Sequence, residues 1–220
     1  MTTIYLTYAE CRQLIVSRSA DPTRNVLQKV HLTPKYAEAC SGPLGARIIF
    51  DPSDRPGSWD SPPGALLPVE ALDEVRRPGE RLLVDLEGRK ATRIRVENEN
   101  GMVVREIPAP EEDSREFPRM SDIFRSAIEG RQPAERIDVN PEYLVLGLTA
   151  IREANVSMAR VQIHPSGAHD AVVLRVPGRP GVIREVWTLV MPLVQTDDSP
   201  FGPRGWATKL ADAPLPTEAT

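Results

Sequence analysis

Histidine side chains are the first residues here whose type could support metal binding or acid–base chemistry. The chain has three, His31, His164 and His169. The last two flank a Pro-Ser-Gly turn without a nearby set of acidic or cysteine partners, which a metal site requires. We therefore interpret them as loop histidines and predict no metal site.

Carboxylates could supply acid–base catalysis, and Asp51, Asp54 and Asp60 lie close together in the sequence. They fall within residues 51–64, which hold four prolines and two glycines and therefore predict a surface loop. Solvated side chains are the expected state there, rather than paired catalytic carboxylates. No phosphate-binding G-x-x-x-x-G-K loop, nucleophile elbow or dinucleotide fingerprint occurs. We predict a protein that is not an enzyme and takes no cofactor.

The two cysteines, Cys11 and Cys40, form no C-x-x-C pair. Cys11 falls on the apolar face of a predicted helix, and free cysteine is among the most buried residue types. Buried free thiols are expected, and no disulfide framework is implied.

Length and charge restrict the class of protein. The chain has 220 residues, 40% of them hydrophobic, and a formal net charge of −4. No apolar run approaches the roughly 20 residues that span a bilayer, so we predict a soluble, cytoplasmic protein without membrane partners. The negative charge argues against bulk attraction to nucleic acid, although a local basic face can coexist with it.

Basic residues recur on or just after each predicted helix, where they could contact a phosphate backbone without reading bases. Acidic neighbours, among them Glu10, Asp73, Glu74 and Glu153, could instead neutralise them through helix pairs. Both interpretations stay open from sequence. The basic residues are Arg12, Arg18, Arg24, Arg76, Arg77 and Arg152.

Three similar runs of elements must position these side chains. The first begins with a strand at residues 4–6, and Thr7 with Glu10 predicts a capping box for the helix that follows. Strands are then predicted at 26–32 and 45–50. The second run has a strand at 65–67, a short helix starting at Pro68, and strands at 81–86, 91–97 and 102–107.

The third run begins near residue 137. Asn140 can cap a helix, Pro141 fits its first turn, and Leu144, Leu148 and Ile151 repeat at helical spacing. Strands are predicted at 156–161, 171–176 and 186–193. Starts near residues 4, 65 and 137 suggest an internal structural repeat. The alternative is generic alternation of helices and strands. The predicted class is α+β, with antiparallel sheets and helices on one face.

Three segments resemble the bacterial DNA sliding clamp, the beta subunit of the replicative DNA polymerase. They are Phe117-Pro118, the run from Asn140 through Leu144, and Met191-Pro192. The resemblance implies half-domains of strand, helix and strands. Residues 1–122 would form a complete clamp-like domain with halves 1–54 and 64–122. Residues 123–136 would be a connector, 137–195 a third half-domain, and 196–220 an extended or disordered tail. Such a chain resembles a reduced, phage- or prophage-like version of the clamp.

Sliding clamps receive short linear peptides of partner proteins in an apolar pocket, and the resemblance implies such a groove here. The alternative is that the same residues close the core between two units. Ala46 stands where the family commonly has histidine, and the tail could cover the groove. The implied walls are Leu27, Gly45, Ile48, Pro118, Ile123, Leu189, Met191, Pro192 and Leu193.

The function implied by the resemblance is that of a replication accessory protein, either a processivity factor or a docking platform. It would bind replication or repair proteins through short peptides, and duplex DNA without sequence specificity. The alternative is a regulatory or decoy module that binds replication proteins but no DNA. Ring closure and homo-oligomer formation stay open, because edge strands that pair between subunits look like any other strands.

Overall fold

The computed structural model describes residues 1–50, 62–129, 139, 141–154, 161–164, 171–178 and 184–191. The first run of elements is β1 (Thr2–Thr7), α1 (Tyr8–Ser17), β2 (Lys29–Leu32), β3 (Tyr36–Cys40) and β4 (Leu44–Ile49). Its helix begins at the predicted capping box. The Thr7 hydroxyl accepts the Glu10 N–H at 3.3 Å, and the Glu10 carboxylate accepts the Thr7 N–H at 2.8 Å.

The second run has the same order of elements. It comprises β5 (Ala65–Pro68), α2 (Val69–Asp73), β6 (Arg81–Glu87), β7 (Lys90–Glu97) and β8 (Val103–Ile107). A further helix, α3 (Met120–Glu129), follows and was not predicted. The third run is α4 (Pro141–Ala154), β9 (Gln162–His164), β10 (Val172–Val176) and β11 (Glu185–Val190).

The first two runs exchange their leading strands. β1 pairs antiparallel with β6 of the second run, and β5 pairs antiparallel with β2 of the first. The described strands thus form one sheet in the order β1-β6-β7-β8 and another in the order β5-β2-β3-β4-β11-β10-β9. This confirms the predicted α+β class with antiparallel sheets. The division into domains stays a prediction.

The seven-stranded sheet has an inner face, which we define as the face covered by α1 and α4. Strand alternation directs Ala37, Ala39 and Ile48 inward, where they join Cys11 and other side chains of the largest core cluster. Both cysteines are buried free thiols, as predicted. None of the described helices is long and apolar enough to cross a membrane.

Helix α4 packs closely against the inner face because one of its residues, Gly147, has no side chain. A Cβ atom on Gly147 would lie 3.1 Å from Val190 Cγ2 and 3.3 Å from Leu174 Cδ1. Both are tighter than ordinary van der Waals contact, so glycine permits the close approach. The apolar cluster between this helix and the sheet includes Ile151 of α4 and Val186 of β11.

Helix α3 covers the opposite, outer face of this sheet. Phe124 is fully buried, with its ring 5.7 Å from that of Trp187 in an edge-to-face arrangement. Val173 and Leu189 belong to the same apolar cluster. The prediction placed a connector at 123–136 and helices on one face only. The structure adds α3 on the outer face.

Candidate functional site

Several residues predicted to form the groove walls lie on the outer face, where α3 meets β4 and β11. These strands pair antiparallel, with Gly45 opposite Leu189 and Leu44 opposite Val190. The first and third runs therefore share one continuous sheet. Leu27 packs against the same outer cluster. The structure thus brings Leu27, Gly45 and Leu189 to one region.

Met120 occupies the position above this region. A Cβ atom on Gly45 would lie 2.5 Å from Met120 Cε and 3.7 Å from Leu189 Cβ, so the methionine methyl fills the space left by the glycine. Met120 is 1% exposed. The floor of the predicted groove is thus covered by a flexible side chain of α3.

Other predicted walls lie at the surface. Ile123 is 38% exposed on α3, and Met191 is 37% exposed just after β11, with its N–H bonded to the Pro43 carbonyl at 2.8 Å. Pro118 is exposed, and its carbonyl accepts the Met120 N–H. Pro192 and Leu193 lie outside the described residues.

Ile48 is not a wall of this region, which corrects the prediction. It is three residues from Gly45, and side chains alternate between faces along a strand, so the two point to opposite sides of the sheet. Ile48 is fully buried in the inner core.

A row of side chains that the sequence analysis missed crosses the outer face. Directly paired positions on successive strands place His31 opposite Glu38, Glu38 opposite Arg47, and Arg47 opposite Trp187. The Arg47 guanidinium donates to the Glu38 carboxylate, and donates to Ser121 Oγ of α3 at 2.6 Å. Both charged side chains are at most 5% exposed. A buried ion pair therefore fastens α3 to the sheet.

Aromatic rings enclose the same ion pair. The Arg47 guanidinium carbon lies 4.4 Å from the Tyr36 ring centroid and 5.2 Å from that of Phe124, within the range of cation–π attraction. His31 is 3.3 Å from Glu38 through Nδ1 and stacks on Phe117 at 5.3 Å between centroids. The segment before α3 is thereby held against β2.

Asp113 forms a second attachment of that segment. Its carboxylate accepts hydrogen bonds from Arg115 Nε at 2.9 Å and from Lys29 Nζ of β2 at 2.7 Å. Hydrogen bonds from Arg115, and then from Lys29, hold the pKa of Asp113 well below its ordinary value. The aspartate side chain is 9% exposed, but those of Lys29 and Arg115 are 25% and 48% exposed, so solvent screens part of this interaction.

This depressed pKa predicts an acid-dependent loss of stability. The Asp113 contribution is fully present above its unfolded pKa of about 4 and is lost as pH falls through the lower folded value. We expect the stability difference between the wild type and Asp113→Asn to be constant near neutral pH and to shrink in acid. Urea unfolding across a pH series measures it. A difference that grows on acidification would contradict the assignment.

The predicted basic residues are largely paired with acids. Arg12 lies 3.6 Å from Asp73, and Arg24 lies 3.5 Å from Asp21. Arg76 lies 2.9 Å from Glu74.

Two predicted cations, Arg18 and Arg77, form no ion pair with a carboxylate of the described residues. Arg18 donates to the Ser19 carbonyl at 3.1 Å. Arg77 is exposed. The side chain of Arg152 is outside the described part of the structure. Of the five described cations, three are thus offset by neighbouring carboxylates.

Two cavities border the segment before α3. The larger, of about 480 Å³, is lined by residues including His31, Phe117 and Arg119. The second, of about 330 Å³, lies beside Lys29 and Arg18. Among the described residues, no group of three or more His, Cys, Asp or Glu side chains is arranged to hold a metal ion.

Comparison with known proteins finds its matches among solved structures. No protein-family model and no curated protein matches the chain. A sliding clamp (DNA polymerase III subunit beta) from Bartonella birtlesii, bound to griselimycin, is 16% identical with a TM-score of 0.49, over 88% of this chain and 66% of that one. A DNA polymerase sliding clamp from Bacillus subtilis is 13% identical with a TM-score of 0.49, over 89% and 65%.

A third match is the DNA polymerase III subunit beta of Borrelia burgdorferi in complex with a natural product. It is 11% identical with a TM-score of 0.46, over 89% of this chain and 65% of that one. The chain thus spans about two thirds of the length of these clamps. At such identities and TM-scores the likeness assigns no function to this chain.

The sequence did contain a signal for the missed helix. Met120, Phe124 and Ala127 are spaced as on one helical face, and all three are buried in the outer cluster. The prolines and acidic residues that precede them favoured an extended connector instead. No comparable signal marks Glu38 and Arg47, because their pairing depends on the register of β3 with β4.

Proposed function

We propose that this chain is a sliding-clamp-like docking module that binds short peptides of replication proteins. The observation that carries the proposal is the pairing of β4 with β11, which joins two runs of elements into one sheet. Leu27 of the first run and Leu189 of the third belong to one apolar cluster at this junction. Met191, which follows β11, and Ile123 of α3 are exposed apolar residues that we assign to the rim of the groove.

Met120 gives the junction a means of opening. Its side chain covers Gly45 and is unbranched and flexible, so it can repack around different partners. A peptide that enters between α3 and Met191 would displace this methyl group and gain the apolar floor formed with Leu189. In this proposal the same side chain closes the core when no peptide is bound.

The expected affinity is modest. A peptide that buries about 300 Å² of apolar surface gains roughly 7 kcal/mol at about 25 cal/mol per Å². Association and ordering costs must be subtracted, because area alone does not set affinity. We expect dissociation constants that are micromolar or weaker.

Met191→Lys is expected to abolish peptide binding. The side chain is 37% exposed at the end of β11, so a lysine can be accommodated in the fold but places a charge at the groove. Isothermal titration calorimetry with a linear clamp-binding peptide measures the effect. Val145→Lys is the matched control, since Val145 is 60% exposed on α4, on the other face of the sheet; it should leave binding unchanged.

If the wild type does not bind such a peptide, the docking proposal is wrong, and the role of these residues is to close the core. A chain that ends after residue 195 adds a second comparison. Tighter binding without residues 196–220 would identify them as a cover over the groove, whereas unchanged binding would make them a passive extension.

The regulatory form that binds replication proteins but no DNA is favoured by the ion pairs. Arg12, Arg24 and Arg76 each have a carboxylate within 3.6 Å, so the charge of these three side chains is partly offset before any phosphate approaches. Any DNA binding would be independent of sequence and sensitive to salt. A reduced, phage-like origin stays a prediction from the resemblance.

The variant Arg76→Glu with Arg77→Glu tests the DNA-binding form directly. If the wild type binds duplex DNA at low salt, the double change should weaken it severalfold, because two cations become anions beside a phosphate track. Fluorescence anisotropy with a labelled duplex measures this. Equal binding by both proteins would exclude these arginines from a DNA contact.

A further inference from the structure

The larger of the two cavities lies on the outer face of the seven-stranded sheet, at the end where β5 forms its edge. His31 of β2 and Leu66 of β5 form its floor; they are directly paired, so their side chains point to the same face. Phe117 lines it from the segment before α3, and Arg89 lines it from the turn between β6 and β7 of the other sheet. Its volume of about 480 Å³ is within the range typical of small-molecule sites.

Contacts that are already in place hold the walls of this cavity. The His31 ring stacks on Phe117, and its Nδ1 lies 3.3 Å from the Glu38 carboxylate. Gly64, at the entry to β5, lies so close to β2 that a Cβ atom on it would be 2.5 Å from the Leu32 carbonyl oxygen. A ligand would therefore enter a preformed space, which lowers the cost of ordering on binding.

Arg115 lines the cavity with an orientation that Asp113 fixes. Its Nε donates to one oxygen of the Asp113 carboxylate at 2.9 Å, and its Nη2 donates to the other at 2.7 Å. This paired contact sets the plane of the guanidinium group and leaves Nη1 without a partner among the described residues. A planar guanidinium held in this way is a pre-oriented hydrogen-bond donor.

Two further guanidinium groups line the same cavity. Arg89 and Arg119 are both exposed, and neither forms a hydrogen bond or an ion pair with another described residue. Arg89 comes from the β6–β7 turn, whereas Arg119 and Arg115 come from the segment that leads into α3. Arginine binds phosphate through paired, charge-assisted hydrogen bonds. The cavity thus offers an anion donors from two of its walls.

Most carboxylates that line the cavity are already engaged. Asp113 is held by the bonds described above, and Asp122 accepts a hydrogen bond from Arg125 at 2.7 Å. Glu116 is exposed and has no such bond within the described part of the chain. Two guanidinium groups without partners therefore face one carboxylate without a partner, and the uncompensated charge of the cavity is positive.

We propose that this cavity binds a small organic phosphate: a phosphomonoester attached to a ring-bearing body about the size of a nucleoside. Such a phosphate carries a charge of about −1.5 to −2 near neutral pH and three acceptor oxygens, which match Arg89, Arg119 and the remaining N–H groups of Arg115. The body would lie against the apolar wall formed by Leu66 and the prolines at 62 and 63. An inorganic ion would leave this wall without a contact. The site does not depend on peptide docking.

Isothermal titration calorimetry of the full chain with adenosine monophosphate tests the site. We expect micromolar to millimolar binding that is tighter than the binding of adenosine or of inorganic phosphate. The double variant Arg89→Gln with Arg119→Gln should weaken it by roughly tenfold or more, because two charge-assisted donors are lost. Lys90→Gln with Arg77→Gln is the matched control: both side chains are exposed outside the cavity, and the change in net charge is the same.

Three results would overturn the proposal. They are no binding by the wild type, equal weakening by the two double variants, and inorganic phosphate that binds as tightly as adenosine monophosphate. Equal weakening would reduce the effect to the overall charge of the chain.

Filling the cavity tests its location without a change in charge. Pro63 is exposed at the cavity wall, so Pro63→Trp should occupy part of the space and abolish binding of adenosine monophosphate. Pro108→Trp, at an exposed proline outside the cavity, should leave binding unchanged. Circular dichroism establishes that both variants are folded. Undiminished binding by a folded Pro63→Trp variant would place the ligand elsewhere and overturn the assignment.

Discussion

Replacement of Arg47 by leucine is expected to lower the free energy of unfolding by about 3–5 kcal/mol, the usual cost of breaking a buried ion pair. Removing the guanidinium leaves the Glu38 carboxylate, 2% exposed, without its main partner. It also removes the hydrogen bond to Ser121 that holds α3. Urea unfolding monitored by tryptophan fluorescence measures the change.

Two further variants separate the charge from the packing. Arg93→Leu breaks an exposed pair with Glu106, in which both side chains are more than half exposed, and should cost at most about 1 kcal/mol. Combining Glu38→Leu with Arg47→Leu removes both buried charges and should recover most of the lost stability. Equal losses for Arg47→Leu and Arg93→Leu would contradict the role of the buried pair.

Phe124→Ala is the second substitution expected to have a large effect, with a loss of about 3–5 kcal/mol from the cavity it creates. Phe124 is fully buried between Trp187 and the Arg47 guanidinium. Removal of the ring takes away much of the apolar contact between α3 and the sheet. The expected signs are a lower urea midpoint and faster proteolysis within residues 120–129.

Ile123→Ala provides the matched comparison, because Ile123 is the adjacent residue of the same helix and is 38% exposed. Ile123→Ala should lower the free energy of unfolding much less than Phe124→Ala does. It removes a predicted contact with a docked peptide, so peptide affinity should fall while stability is nearly kept. If the two substitutions lowered stability equally, α3 would not be anchored through Phe124.

Local sequence signals predicted the start of the fold well. The capping box at Thr7 and Glu10 is local in sequence, and the structure forms both of its hydrogen bonds. Pro141 begins α4, as its fixed backbone angle favours. Such features depend on residues within one turn of each other.

Features that depend on tertiary context were missed. Strand β3 contains Ala37, Glu38 and Ala39, none of which favours strands by composition; all are buried between β2 and β4. Its glutamate is tolerated only because Arg47 lies opposite, and that register cannot be obtained from composition.

The placement of Ile48 was wrong for a different reason. The resemblance suggested a wall residue, whereas simple alternation from Gly45 already puts its side chain on the other face. Side chains alternate between the two faces along a strand, so counting from Gly45 places Ile48 on the inner face.

The exchange of leading strands between the first two runs also governs how the chain can be made. β1 has its hydrogen-bonding partner in β6, at residues 81–87, so β1 must wait for a partner that is synthesised much later. Chains fold progressively from the N-terminus during synthesis, yet here the first run cannot complete either sheet alone. We expect nascent chains whose emerged part ends before residue 81 to be sensitive to protease, and those whose emerged part extends beyond residue 107 to gain protection.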